Sequence, residues 1–245
     1  MFIPIYDDNP LRSIRYPWVT WGLIALNVIV FLGELTPKGE TVIASFALVP
    51  TELFKIGIRM GASGGPYDVL PVPELATLIS HLFLHGDALH LATNMAFLWV
   101  FGDNVEDAVG HGRFLAFYVL CGIAAGLAHA FALKTSTVPL IGASGAVAGV
   151  IAAYLMLHPR VKVWVLALRI IPLNVSAAIA LGLWIVTQFA MLFVSDSGPV
   201  AWWAHVGGII AGAALILVLR KPDYPLFDER VREAIAAKDG ASPSS

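Results

Sequence analysis

Residues 200–219 read VAWWAHVGGIIAGAALILVL, a run with no charged side chain and one histidine, His205. About 20 apolar residues suffice for a helix to cross the hydrocarbon of a bilayer, so this run predicts a transmembrane helix. Working outward from it, five more runs approach that length, at roughly 18–35, 84–102, 114–133, 141–158 and 174–194. Apolar residues make up 58% of the chain and charged residues 13%, whereas a soluble domain has about half and about a quarter. The excess is concentrated in these runs. The expected fold is therefore an all-α polytopic membrane protein with six transmembrane helices.

The rest of the chain fits around them. The connection at 36–83 contains TVIASFALVPTELFKIGIRM and then a Gly/Pro-rich stretch, GASGGPYDVLPVPE; short helices lying on the bilayer are expected there. RVKVWVLALRIIPL, after the fourth run, is apolar but carries Arg160, Lys162 and Arg169 and reads as interfacial. The expected organisation is an N-terminal segment at 1–17, a membrane domain at 18–220, and a tail at 221–245 that forms a short helix followed by disorder. The N-terminus shows two acids before its first arginine and no small-residue cleavage site, so no cleaved signal is expected. With the N-terminus in the cytoplasm, most lysines and arginines fall inside: Arg12, Arg15, Arg113, Arg160, Lys162, Arg169 and the basic residues from Arg220 onward. Only Lys38, Lys55, Arg59 and Lys134 fall outside. The positive-inside rule thus predicts two cytoplasmic termini and, for a bacterial chain, the plasma membrane. A formal net charge of -2 offers no basic field, so nucleic acid is not an expected partner. The single cysteine, Cys121, cannot form an internal disulfide and reads as a core residue.

Polar groups inside spans are costly and are functional candidates by default. The second, fourth and sixth runs all pass from outside to inside. This brings His90, Asn94, Ser144 and His205 to one depth, roughly 5–10 Å below the outer boundary at about 1.5 Å of rise per residue. A serine hydroxyl becomes nucleophilic when a base takes its proton, and imidazole suits that role. Ser144 opens a helix, where backbone N–H groups lack partners, so the amides of Ser144 and Ala143 are candidate donors to an oxyanion. Gly142 and Gly145 leave room for a substrate backbone. His90 and Asn94 stand at i, i+4 on one helix face and could supply side-chain donors. No acid lies in the fourth or sixth run to orient His205, so a Ser144–His205 dyad is expected. Gly145 with Gly149, and Gly208 with Gly212, form GxxxG spacings that would draw these two helices together.

Three blocks, HLFLHGDALHLATN (81–94), IGASGAVAG (141–149) and AHVGGIIAG (204–212), resemble the signature blocks of the rhomboid intramembrane serine proteases. IYDDNPLR and FGDNVEDAVGHGRFLAFYVLCG are also similar to bacterial rhomboids. The resemblance covers nearly the whole chain. It implies a six-helix fold that cuts transmembrane protein substrates in the lipid bilayer, with no metal and no cofactor. It implies Ser144 as nucleophile, His205 as base, and His90, Asn94 and the Ser144 amide as the oxyanion site, with His85 supporting the first loop. Two positions depart from the pattern. Ala76-Thr77 stands where many rhomboids carry Trp-Arg. Ala148 stands where many carry an aromatic that stacks on the base, a place that Trp202 or Trp203 could fill.

Two other functions compete. A metalloprotease or metal transporter could use His81, His85, His90 and His205, but there is no H-E-x-x-H and no Cys or Glu spaced with them. A non-catalytic rhomboid-fold protein that binds transmembrane helices would not need both Ser144 and His205. His111 and His158 read as interfacial, His129 as packed or facing water, Glu106 and Arg113 as a structural pair, and Trp18 and Trp21 as an interface belt. Span five presents a bulky apolar face, GLWIVTQFAMLF. Substrate is expected to enter laterally beside it, under a cap at 195–200 rich in turn-forming residues.

Overall fold

The computed structural model describes residues 2–54, 72–167, 170–194 and 200–227. Residues 195–199 of the cap expected at 195–200, most of the Gly/Pro-rich stretch, Lys55, Arg59, Arg169 and the tail beyond 227 lie outside them. Each of the six apolar runs is a helix. They are α1 (Trp18–Glu34), α5 (Ala88–Val109), α6 (His111–Ala132), α7 (Ser144–Leu157), α8 (Ala177–Val194) and α9 (Trp202–Leu219). Shorter pieces fill the first connection: α2 (Gly39–Phe46), α3 (Pro50–Leu53), α4 (Glu74–Ser80) and a 3-10 turn (His81–Phe83). Among the described residues, α6, α8 and α9 are long and apolar enough to cross a membrane.

The central helix is α7. It has 14 residues, so it rises only about 21 Å, and most of its side chains are buried. Its length is tolerable because α5, α6, α8 and α9 surround it. Small residues set the spacing. A Cβ at Gly208 would lie 1.9 Å from the Gly145 carbonyl oxygen, and one at Gly212 would lie 2.2 Å from that of Gly149. On the other side of α9, a Cβ at Gly207 would meet the Ala128 side chain at 2.4 Å. Helices in lipid gain little from the hydrophobic effect and associate through such close backbone contact. Cys121 is fully buried in α6 and fills the space over Gly149.

The described residues are not all helical. β1 (Phe2–Asp7), β2 (Lys162–Ala167) and β3 (Ile171–Ser176) form an antiparallel sheet in the order β1-β2-β3. To the mostly helical fold that was expected, the described residues thus add one small sheet. In β2 the alternation Lys162-Val163-Trp164-Val165 buries the two valines and leaves their neighbours exposed, the period-two pattern of a strand. Its partner β1 comes from the other end of the chain, which no local pattern announces.

The end of the bundle away from Ser144 is held by carboxylates. Asp107 accepts the backbone N–H groups of Arg12, Ser13 and Ile14 at 2.9, 2.7 and 2.7 Å. Glu106, fully buried, accepts the N–H groups of Val19 and Thr20 and the Thr20 hydroxyl at 3.0, 2.8 and 2.7 Å. A negative charge at the first turn of α1 satisfies orphan donors and complements the helix dipole. Glu106 also pairs with His111, so its expected partner was wrong: Arg113 instead donates to the Leu219 carbonyl at 3.4 Å. Gly110, with φ +88, divides α5 from α6, and the residue directly after it, His111, is the one that meets Glu106. His158 is buried between Tyr154 and Tyr224. The start of the tail packs here too. Lys221 donates from its backbone N–H to Ala108 and from Nζ to the Asp107 carbonyl, and the Tyr224 hydroxyl reaches Asp107. Burial pushes the Asp7 carboxyl up to about 7, and nearby Asp103 and Asp8 add to this, while the Tyr154 hydroxyl that donates to it opposes the rise.

Candidate active site

α5, α7 and α9 begin at the same end of the bundle, and their first turns carry the polar residues singled out in the sequence. Ser144 is the first residue of α7, so its amide N–H has no acceptor within the helix. Gly142, just before it, has φ +122, and a Cβ there would lie 2.7 Å from the His90 ring. Both the backbone conformation and the close approach require glycine. The Gly142 N–H donates to the His81 carbonyl at 2.9 Å, which ties the serine loop to the turn before α5. His81 itself is buried, with Nδ1 2.7 Å from the Thr77 carbonyl.

His205 is buried in the first turn of α9, and its Nε2 lies 3.0 Å from Ser144 Oγ. The Gly145–Gly208 contact one turn away holds the two helices at this distance. Around them, α5 starts at Asp87, whose carboxylate caps the helix by accepting the His90 N–H at 2.8 Å. His90 Nδ1 accepts the Gly86 N–H at 3.5 Å. This leaves Nε2 to carry the proton, next to Gly142. Asn94, one turn deeper, is buried, and its Nδ2 has no hydrogen-bond partner among the described residues. A buried amide donor without a partner costs free energy, which suits a group that waits for an acceptor from a substrate. His85 is buried with its ring edge-on to His90, and its backbone N–H reaches the Glu34 carboxylate at 3.2 Å. Among the described residues, no three His, Cys, Asp or Glu side chains converge as a metal-ligand set.

A family model described as Rhomboid domain matches residues 72–222. The chain belongs to the rhomboid family. It is 32% identical over 219 residues to Rhomboid protease GluP of Bacillus subtilis, covering 89% of this chain and 38% of that protein. It is 26% identical over 200 residues to the rat Presenilin-associated rhomboid-like protein, mitochondrial, covering 78% of this chain and 46% of the relative. RHOMBOID-like protein 5 of Arabidopsis thaliana is 33% identical over 150 residues, 60% of this chain and 45% of the relative. The chain thus spans less than half the length of these rhomboid relatives.

Two features of this rhomboid's site were not expected from sequence. One is Trp184 of α8, whose ring centroid lies 6.0 Å from that of His205, beside the expected Trp202, which stands edge-on at the same distance. Trp203, the other candidate, is exposed. Also, His205 Nδ1 lies 2.8 Å from Oε1 of Gln188 on α8. The group that faces Nδ1 is thus an amide from the fifth run rather than an acid from the fourth or sixth. A lone glutamine inside an otherwise apolar span was the available signal.

Proposed function

We propose that this rhomboid is an intramembrane serine endopeptidase that hydrolyses peptide bonds in or near transmembrane segments of membrane proteins. The observation that carries this reading is the 3.0 Å contact between Ser144 Oγ and His205 Nε2. Ser144 donates its proton to His205 Nε2 as Oγ attacks the substrate carbonyl. The oxyanion that forms takes hydrogen bonds from the Ser144 amide and from His90 and Asn94, with the Ala143 amide nearby. His205 then protonates the leaving amine, and water hydrolyses the acyl-enzyme by the same path in reverse.

In this reading six helices, α1 and α5 to α9, span the bilayer within a domain of roughly 18–220. Both termini are cytoplasmic and the membrane is a bacterial plasma membrane. The site then opens toward the extracytoplasmic side, which supplies the water that hydrolysis needs. A substrate helix enters laterally beside α8 and unwinds locally, because its hydrogen-bonded backbone is otherwise closed to Ser144. The test is activity in detergent or vesicles. Ser144→Ala and His205→Ala should each abolish cleavage of a single-span substrate and labelling by a fluorophosphonate, with the fold retained. The double variant should lose no more than either single one. Full labelling of His205→Ala, or of Ser144→Ala, would remove the assignment.

A further inference from the structure

The two ring nitrogens of His205 have different neighbours. Nε2 faces Ser144 at 3.0 Å and Nδ1 faces Gln188 Oε1 at 2.8 Å. An amide can present either its oxygen or its nitrogen, so the orientation of Gln188 has to be argued from its other contacts. Its Nε2 donates to the Trp184 carbonyl at 2.9 Å and to Thr187 Oγ1 at 3.2 Å. The Thr187 hydroxyl already donates to that same carbonyl at 2.6 Å, so its oxygen is left as an acceptor. Flipping the amide would set oxygen against oxygen at Trp184. The α8 backbone therefore fixes Oε1, a pure acceptor, against the imidazole. An acceptor at Nδ1 requires the proton there and leaves the lone pair of Nε2 directed at Ser144.

The location of Gln188 adds to this. The buried residues of α8 are Ala177, Ala180, Leu181 and Gln188. The half of α8 nearest the site therefore buries one side chain, and that side chain is polar. A polar group is a poor choice for packing alone, because its burial is costly unless its hydrogen bonds are made.

We propose that Gln188 is a positioning residue that holds His205 in the tautomer and orientation able to take the Ser144 proton. Because it sits on α8, the base is completed by contact between α8 and α9. A neutral amide does this without burying a second charge beside the imidazole.

The inference rests on the Ser144–His205 reading, and the test separates the two. The full chain in detergent is compared as wild type, Gln188→Met and Ser144→Ala. Two quantities are read: phosphonylation of Ser144 by a small fluorophosphonate, and kcat and KM for a single-span substrate. Methionine keeps the length and volume but has no acceptor for Nδ1–H. Gln188→Met should lower both kcat and the phosphonylation rate about 10²-fold, the order expected for a misplaced catalytic group, with KM nearly unchanged. If Gln188 merely latches α8, methionine would be tolerated. Gln188→Met labelling at the wild-type rate, or a loss confined to KM, overturns the proposal. Wild type labelling no faster than Ser144→Ala would instead overturn the protease reading beneath it.

Discussion

Replacing Gly208 with alanine tests how the helices set the site. The new Cβ would lie 1.9 Å from the Gly145 carbonyl oxygen, whereas ordinary contact begins at 3.4 Å. The obstacle is backbone, so no side chain can rotate out of the way, and α7 and α9 must separate by roughly 1.5 Å in a tightly packed interior. Ser144 adjoins Gly145, and His205 lies one turn from Gly208. Much of that separation therefore falls on the 3.0 Å bond between them, which would stretch toward about 4 Å, beyond hydrogen-bond range. Overpacking of this kind costs about 1–3 kcal/mol in stability, and misplacing a catalytic group by about 1 Å costs about 10²-fold in rate. The assay is cleavage of a single-span substrate together with fluorophosphonate labelling, alongside thermal unfolding in detergent. Gly22→Ala is the control, since a Cβ there meets nothing within 4 Å. Gly208→Ala should lose rate far out of proportion to its stability, while the control keeps both. Wild-type rate and melting temperature in Gly208→Ala would refute the close α7–α9 contact and the dependence of the site on it.

Three other outcomes are expected. Asn94→Ala and His90→Ala should each slow single-turnover cleavage, by up to about 10²–10³-fold for the loss of one oxyanion donor; wild-type single-turnover rates in both variants would remove these roles. Glu106→Ala should destabilise the protein by about 2–4 kcal/mol, because it leaves the buried donors of Thr20 and the half-buried N–H of Val19 without an acceptor; an unchanged unfolding midpoint would contradict the anchoring of α1. Asp7 has a folded-state pKa raised from 3.8 to about 7, so between these values the folded state binds more protons than the unfolded state. Stability should fall as pH rises through that window and level off above it. Asp7→Asn should lack this slope in thermal melts, and an identical slope in both proteins would show that Asp7 is not its source.

Much of the scaffold was legible locally. Apolar runs of membrane-spanning length became α1, α5, α6, α8 and α9 within a few residues at each end, apart from the C-terminal extension of α5. That extension carries Asp103, Glu106 and Asp107, acids that a hydropathy reading takes as the end of a span; Glu106 and Asp107 are buried, against the first turn of α1 and the N-terminal segment. The three signature blocks supplied the family, and the common direction of α5, α7 and α9 placed His90, Asn94, Ser144 and His205 at one end of the bundle.

Apolar period, small-residue spacing and motif order are properties of neighbouring residues, so the sequence by itself determined the helices, the family and the polar residues in the first turns of α5, α7 and α9. Pairing across long separations leaves no local pattern. Only the tertiary structure decided that β1 lies against β2, that Glu106 serves α1 rather than Arg113, and that Trp184 and Gln188 flank His205. Gln188 shows the reason most clearly. In sequence it is one amide in a run of apolar side chains, and its hydrogen bond exists because α8 lies against α9 with that face turned toward the imidazole.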